Sequence, residues 1–352
     1  MSEIVFVLGA GASAHCGIPL TKDFIGVARD LLRNGEVDEF GNAFNNVLDA
    51  VGKLHAVHSK ANLDIDNIES IYTAFEMGNL IGKLPGIKDE ERITTLLSAI
   101  RKVIGYTLEK TTKVTKDIKI NPVPAYFDFT SLLRSLKKAQ RTFTIITFNY
   151  DLGLEYSLYK SGLVPDYGLD DINITDKCVT YLKLHGSLNF GRCSNISCRI
   201  IAPYRQFEYT EEIPNTDQAR ISVISRLKNC VCPRCWAHLE EDPIIIPHTW
   251  NKTAYHEQID EIWRRAANEL SDAEYIFVLG YSLPDTDWFF NYLYGLAVDM
   301  ETPVKGFNVY NPDLAVKTRF EKLLGQGAIK HFNYSETSFE HAVSTIASAL
   351  EI

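Results

Sequence analysis

Nothing in this 352-residue sequence stays apolar long enough to cross a bilayer. The N-terminal apolar run, Ile4–Leu8, falls far short of the roughly 20 residues a spanning helix needs. Met-Ser-Glu at the start carries no basic segment of the kind that opens a secretory leader. A cytoplasmic protein with no membrane association is therefore expected. Positive charge is also short, since 36 Lys and Arg against 45 Asp and Glu leave a net charge of −9. That balance argues against nucleic acid held by the general field of the chain, though not against a local basic patch. Internal repeats, low-complexity tracts and extended linkers are absent. Cysteine is present in seven copies but not as a disulfide framework, because five of them cluster between Cys193 and Cys235 in a long chain. In a reducing compartment such clustering points to metal. What remains is a soluble globular composition, long enough for one large or two ordinary domains and a sizeable core.

The chain is organised around Ile4–Pro19, read as IVFVLGAGASAHCGIP. Its first five residues are β-branched-rich and apolar, the composition of a strand buried on both faces. The strand stops at Gly9, Ala10, Gly11, Ala12, Ser13 and Ala14, loosely a G-x-G-x-x-A turn. Such a turn sets backbone N–H groups against a diphosphate, or is simply a tight connection with no ligand. The acidic ribose reader expected about 20 residues on is matched only loosely by Asp30 and Glu36.

A helix is expected over Thr21–Arg33, with Gly35 as its stop. From 36 to 140 the sequence turns helical and polar, without an alternating strand pattern, and Asn121-Pro122-Val123-Pro124 punctuates its end. Asp64, Asp66 and Glu69 there suit the capping of a helix start. The α/β pattern returns at Phe143–Thr147, which runs into Phe148-Asn149-Tyr150-Asp151. Asn149 and Asp151 sit where open α/β sheets place ligands, and equally suit an Asx-turn and helix cap. Val179–Leu184 reads as another strand, followed by His185-Gly186-Ser187. Pro243–Pro247 reads as a short strand before His248-Thr249-Trp250, and Tyr255–Leu270 as an amphipathic helix. Tyr275–Leu279 then ends in a second ligand-ready turn, Gly280-Tyr281-Ser282, with Asp285 and Asp287 as caps for the next helix. Val304–Tyr310 ends in Asn311-Pro312, and Ala328–Tyr334 reads as an edge strand. The fold class is α/β: a Rossmann-like, mostly parallel sheet with a helical insertion and a small zinc-binding module. The expected boundaries are 1–35, 141–190 and 241–352 for the sheet domain, 36–140 for the insertion and 191–240 for the module.

The module rests on Cys193-x4-Cys198 and Cys232-Pro-Arg-Cys235, whose turns aim thiolates at one tetrahedral point. No open coordination position is evident, so the Zn2+ would be structural. Cys230 beside the second pair is either a substitute ligand or a bystander.

In this order the motifs resemble a sirtuin. GAGAS…GIP is similar to that family's dinucleotide loop, TFNYD to its T-x-N-x-D element and LHGS to its active-site histidine. LGYSL and VYNP are similar to its later ribose- and adenine-side loops, and the paired cysteines to its zinc module. The resemblance implies an NAD site, with NAD as substrate, contacted by Gly9, Ala10, Gly11, Ala12, Ser13, Pro19, Phe148, Gly280, Tyr281, Ser282 and Asn311. It implies that Asn149 fixes the ribose and attacking water, and that His185 acts as general base or holds the ribose hydroxyls. Asp151 would orient the nicotinamide side or stabilise positive charge. Two departures stand out. Leu20-Thr21-Lys22 replaces the Phe-Arg of deacylating sirtuins, and Pro247 removes an N–H donor from the strand that would pair with an acyl-lysine peptide. The wording is closer to a prokaryotic sirtuin-like branch with NAD-degrading effectors of antiphage defence. That implies an NAD glycohydrolase controlled by homo-oligomer assembly or by a neighbouring defence protein such as a hexameric ATPase. An NAD-dependent deacylase and a non-catalytic NAD or ADP-ribose sensor are the alternatives.

Overall fold

The computed structural model describes residues 2–87, 90–116, 123–169, 175–204, 210–227, 229–246, 253–284, 288–297 and 303–350. Asn121 and Pro122, the segment Pro247–Trp250, and Asp285 and Asp287 lie outside the described residues.

Seven strands form the main sheet: β1 (Ile4–Leu8), β2 (Phe143–Thr147), β3 (Val164–Asp166), β4 (Cys178–Lys183), β5 (Tyr275–Leu279), β6 (Gly306–Tyr310) and β7 (Phe332–Ser335). Their order is β7-β6-β5-β1-β2-β4-β3, and every neighbouring pair is parallel. β1 is central, and all five of its residues are buried. Burying each such Val, Ile or Phe contributes about 1.5–3 kcal/mol, which is why so short a run commits to a strand. Phe6 stacks on Phe277 of the adjoining strand at 5.6 Å and meets the edge of Phe129 at 5.2 Å. Phe129 belongs to helix Ala125–Lys138, which joins helix Phe339–Ala349 through a Phe129–Phe339 contact of 5.7 Å. The last helix of the expected insertion segment therefore lies on the sheet.

The chain leaves β1 toward β2, β4 and β3, then crosses back to β5, β6 and β7 on the other side. The two directions part between β1 and β5, and the crevice outside the carboxyl ends of those strands is where such sheets take ligands. Helices Gly41–Leu54, Ile68–Ile81 and Glu90–Thr111 pack on one another, and their buried residues are continuous with the core of the main sheet. One short strand, Lys113–Thr115, pairs with Gln218–Ile221 and thence Thr210–Glu212 in a small antiparallel sheet. The edge strand expected at Ala328–Tyr334 divides into a 3₁₀ turn, Ala328–His331, and β7. Among the described residues no helix is long and apolar enough to cross a membrane.

Candidate functional site

The turns after β1 and β5 are built against each other. The Gly9 N–H donates to Leu279 O at 3.0 Å and the Gly11 N–H to Gly280 O at 2.9 Å. A Cβ on Gly9 would lie 2.4 Å from Tyr281 Cα, and one on Gly280, whose φ is +63°, would lie 2.4 Å from Ala12 N. These glycines are thus required by backbone meeting backbone, whether or not a ligand approaches. Gly280→Ala adds both that clash and a left-handed alanine, so it should cost on the order of 2–4 kcal/mol, read as a lower denaturant midpoint. The turn also departs from the dinucleotide pattern. Two 3₁₀ turns, Ala10–Ala12 and Ala14–Cys16, follow the strand, and the first α-helix begins only at Phe24. The Ser13 N–H is spent on Ala10 O at 3.1 Å. Ala10 and Gly11 are half-exposed, Ala12 and Ser13 buried, and Pro19 is half-buried beyond the left-handed Gly17.

Ser13, expected to meet a diphosphate through its hydroxyl, is the hub of a buried network. Its Oγ donates to Asp151 Oδ2 at 2.8 Å, lies 2.6 Å from the Tyr126 hydroxyl, and receives Asn149 Nδ2 at 2.9 Å. The Asn149 amide also donates to Gly9 O at 2.9 Å. Asp151 Oδ1 accepts the Gly153 N–H at 2.9 Å, so Asp151 realises the Asx-turn that opens helix Gly153–Lys160. Asn149 and Asp151 therefore tie the end of β2 to the β1 turn through Ser13. Tyr126, on helix Ala125–Lys138, is the fourth member and had no signal in the sequence.

His185 lies just past β4 and is fully buried. Its ring sits 5.1 Å from Phe148, 6.3 Å from Tyr150 and 6.3 Å from Trp263. Phe148 stacks on Tyr281 at 4.3 Å, and Phe290 meets the edge of both. The space between the β2 and β5 ends is thus filled by rings of the protein itself. Arg319 donates to Ser282 O at 2.9 Å, and Asn311 Oδ1 accepts the Asp313 N–H at 2.9 Å, an Asx-turn closing β6. Gly280 reaches that strand through its N–H to Tyr310 O at 3.0 Å. The expected residues of β1, β2, β4, β5 and β6 therefore meet along one edge of the sheet.

Beneath this edge lies an ion pair that sequence reading missed. Lys183 Nζ is 2.5 Å from Glu155 Oε1 and 2.6 Å from Asp151 O, with both side chains wholly buried. Burial pushes Glu155 up from its ordinary 4.5 to about 7; Lys183 opposes this and Asp151 adds to it. Tyr181 and Tyr126 are the other titratable groups facing it. The folded protein binds a proton there more tightly than the unfolded chain does, so this group's contribution falls as pH rises from about 4.5 to about 7, where the carboxylate pairs with Lys183. Glu155→Gln should flatten that part of the stability profile, checked by urea midpoints at about pH 5 and about pH 8.

The sulfurs of Cys193, Cys198, Cys232 and Cys235 all lie within 4.8 Å of one another. Cys193 and Cys235 are 3.4 Å apart and Cys198 and Cys232 3.7 Å apart. Tetrahedral Zn–S bonds of about 2.3 Å place sulfurs about 3.8 Å apart, so this set fits zinc. The residue after each pair, Arg199 (φ +50°) and Trp236 (φ +62°), is left-handed and folds the chain back. Burial alone would raise the Cys232 thiol, but the backbone N–H groups of Cys235 and Arg234 and the Cys193 and Cys198 thiols together outweigh it and hold it at about 7. Cys230 lies outside the set and donates to Arg226 O at 3.4 Å.

No family model and no curated protein matches this sequence. Sir2 homologues are among the solved structures it is similar to. One, a complex with NAD, is 14% identical with a TM-score of 0.44, covering 99% of this chain and 89% of its own. A mutant bound to ADP-ribose is 16% identical with a TM-score of 0.44, covering 99% and 93%. Sir2Tm bound to a propionylated peptide is 13% identical with a TM-score of 0.40, again covering 99% and 93%. Likeness at this level carries no argument about chemistry, which has to come from the residues.

Proposed function

We propose that this protein is an NAD glycohydrolase, cleaving NAD to nicotinamide and ADP-ribose. One observation supports the reading: beside the switch point of a parallel sheet, Asn149 bonds the first glycine turn, that turn abuts the second, and His185 packs on the Phe148 ring that stacks on Tyr281. Nicotinamide departs as a neutral base from a cationic pyridinium, so no general acid is needed. Water then attacks C1′ of the ribose. Asn149 orients the ribose and the water, and His185 takes the water's proton, a role worth about 10²–10⁴-fold. Entry of the ribose requires the Phe148 and Tyr281 rings to part. Regulated depletion of NAD is the chemistry by which such an enzyme would act in bacterial antiphage defence, under control by self-assembly or a partner protein.

A second reading, binding of NAD or ADP-ribose without turnover, has its own support. The Asn149 amide is occupied by Gly9 O and Ser13 Oγ, and His185 is fully buried, so packing alone accounts for both. The test is incubation with NAD, with and without an acetylated peptide, and quantification of nicotinamide. Hydrolysis predicts release that does not depend on peptide. Binding by calorimetry with no release supports the second reading. Release only with peptide, in equal amount to deacetylated product, makes the protein a deacylase. That result would override the departure at Leu20-Thr21-Lys22 and the one at Pro247, which lies outside the described residues.

A further inference from the structure

The Lys183–Glu155 pair has no place in the reaction as written, yet it lies directly under the groups assigned to it. Taking an ammonium and a carboxylate out of water costs several kcal/mol per ion, and packing alone is often served as well by apolar side chains. What charge adds is direction. Lys183 Nζ holds two acceptors at once, Glu155 Oε1 at 2.5 Å and Asp151 O at 2.6 Å. The first lies in the opening turn of helix Gly153–Lys160, and the second in the turn that carries Asn149. Lys183 itself ends β4, two residues before His185, and the Leu184 N–H that follows donates to Thr147 O at 2.9 Å. One ammonium therefore ties the end of β4 to the end of β2, at the level where each presents its candidate group.

We infer that Lys183, held by Glu155, is a positioning residue that keeps the Asn149–Asp151 turn in register with His185. For its effect on turnover this rests on the NAD glycohydrolase reading. Neither side chain touches substrate. The pair acts through the Asp151 backbone, whose side chain in turn holds Ser13 and the Gly153 N–H.

The test is the double variant Lys183→Met/Glu155→Leu, which removes both charges and keeps their bulk, beside Glu155→Gln, which keeps an acceptor for Nζ. The double variant should melt at or above the wild-type temperature. Its Gly153 amide should nevertheless exchange hydrogen at least about 10-fold faster, because the turn has lost its anchor. Its kcat for nicotinamide release should fall at least about 10-fold, with KM within about 2-fold. Glu155→Gln should stay near wild type in Gly153 exchange. Unchanged Gly153 exchange in the double variant overturns the inference, as does faster exchange with unchanged kcat. If the double variant fails to fold, Glu155→Gln decides, and Gly153 exchange at least about 10-fold above wild type overturns it. If the wild type releases no nicotinamide, the NAD reading falls, while Gly153 exchange still tests whether the pair holds the turn.

Discussion

Asn149→Ala is expected to lower nicotinamide release by at least about 10²-fold while the protein still folds. Two groups lose a donor in this variant, Gly9 O and Ser13 Oγ, both bonded by the Asn149 amide at 2.9 Å. Leaving buried acceptors unsatisfied costs about 1–3 kcal/mol, within the 5–15 kcal/mol by which typical proteins are stable. The fold should therefore survive with a lower melting temperature, and turnover should fall by far more than the folded fraction does. Asn149→Asp separates the two effects. It keeps the volume and an oxygen but sets a carboxylate against Gly9 O, so it should lose activity as alanine does and lose more stability. Wild-type turnover in Asn149→Ala would end the catalytic assignment and leave Asn149 as the tie between the β1 and β2 ends. Loss of turnover with NAD affinity intact, measured by calorimetry, is the outcome that a packing role alone does not produce.

Strands buried on both faces were the easiest elements to read. β1, β2 and β5 are continuous β-branched or aromatic runs, and their expected limits match the observed Ile4–Leu8, Phe143–Thr147 and Tyr275–Leu279. β3 was missed because it is three residues long with Pro165 in the middle, and a proline has no N–H for the ladder. It survives because it is an edge strand. Lys113–Thr115 was missed for a similar reason, since three residues show no period. Gly9, Phe148, His185, Gly280 and Asn311 each follow a strand within two residues, which is why the motifs that contain them could be read beside the strands. The network linking them was not legible. Tyr126 meets Ser13 across 113 residues of sequence, and Glu155 meets Lys183 across 28. The one available signal was Lys183, a charge at the end of a largely apolar strand. The glycine turn after β1 was open to a diphosphate or to a tight connection without a ligand, and packing shows that Gly9, Gly11 and Gly280 let two turns meet.

Cys232→Ser is expected to remove the metal and unfold the cysteine-bearing turns, 193–200 and 230–239, locally, with purified wild-type protein carrying about one zinc per chain. The argument is one of scale. Among the described residues, the apolar cluster around the four sulfurs contains only Ala202 and Leu239 besides Cys193 and Cys232 as buried members, set apart from the main core. Area of that order cannot hold the two cysteine-bearing turns, 193–200 and 230–239, in place, whereas structural zinc in small domains supplies about 10–16 kcal/mol. Two left-handed residues, Arg199 and Trp236, add local cost that only a fixed ligand geometry offsets. Zinc content measured without chelator should fall by at least about half in Cys232→Ser, and limited proteolysis should cut first between Cys193 and Cys235. Nicotinamide released per folded molecule should hardly change, because the cluster lies outside the network of Ser13, Asn149 and Asp151. Cys230→Ser is the matched control and should keep its zinc, since that sulfur bonds Arg226 O instead of facing the other four. A wild-type protein free of zinc would reduce the cluster to four close thiols. Zinc lost equally from Cys230→Ser and Cys232→Ser would mean that the ligand set is wrong.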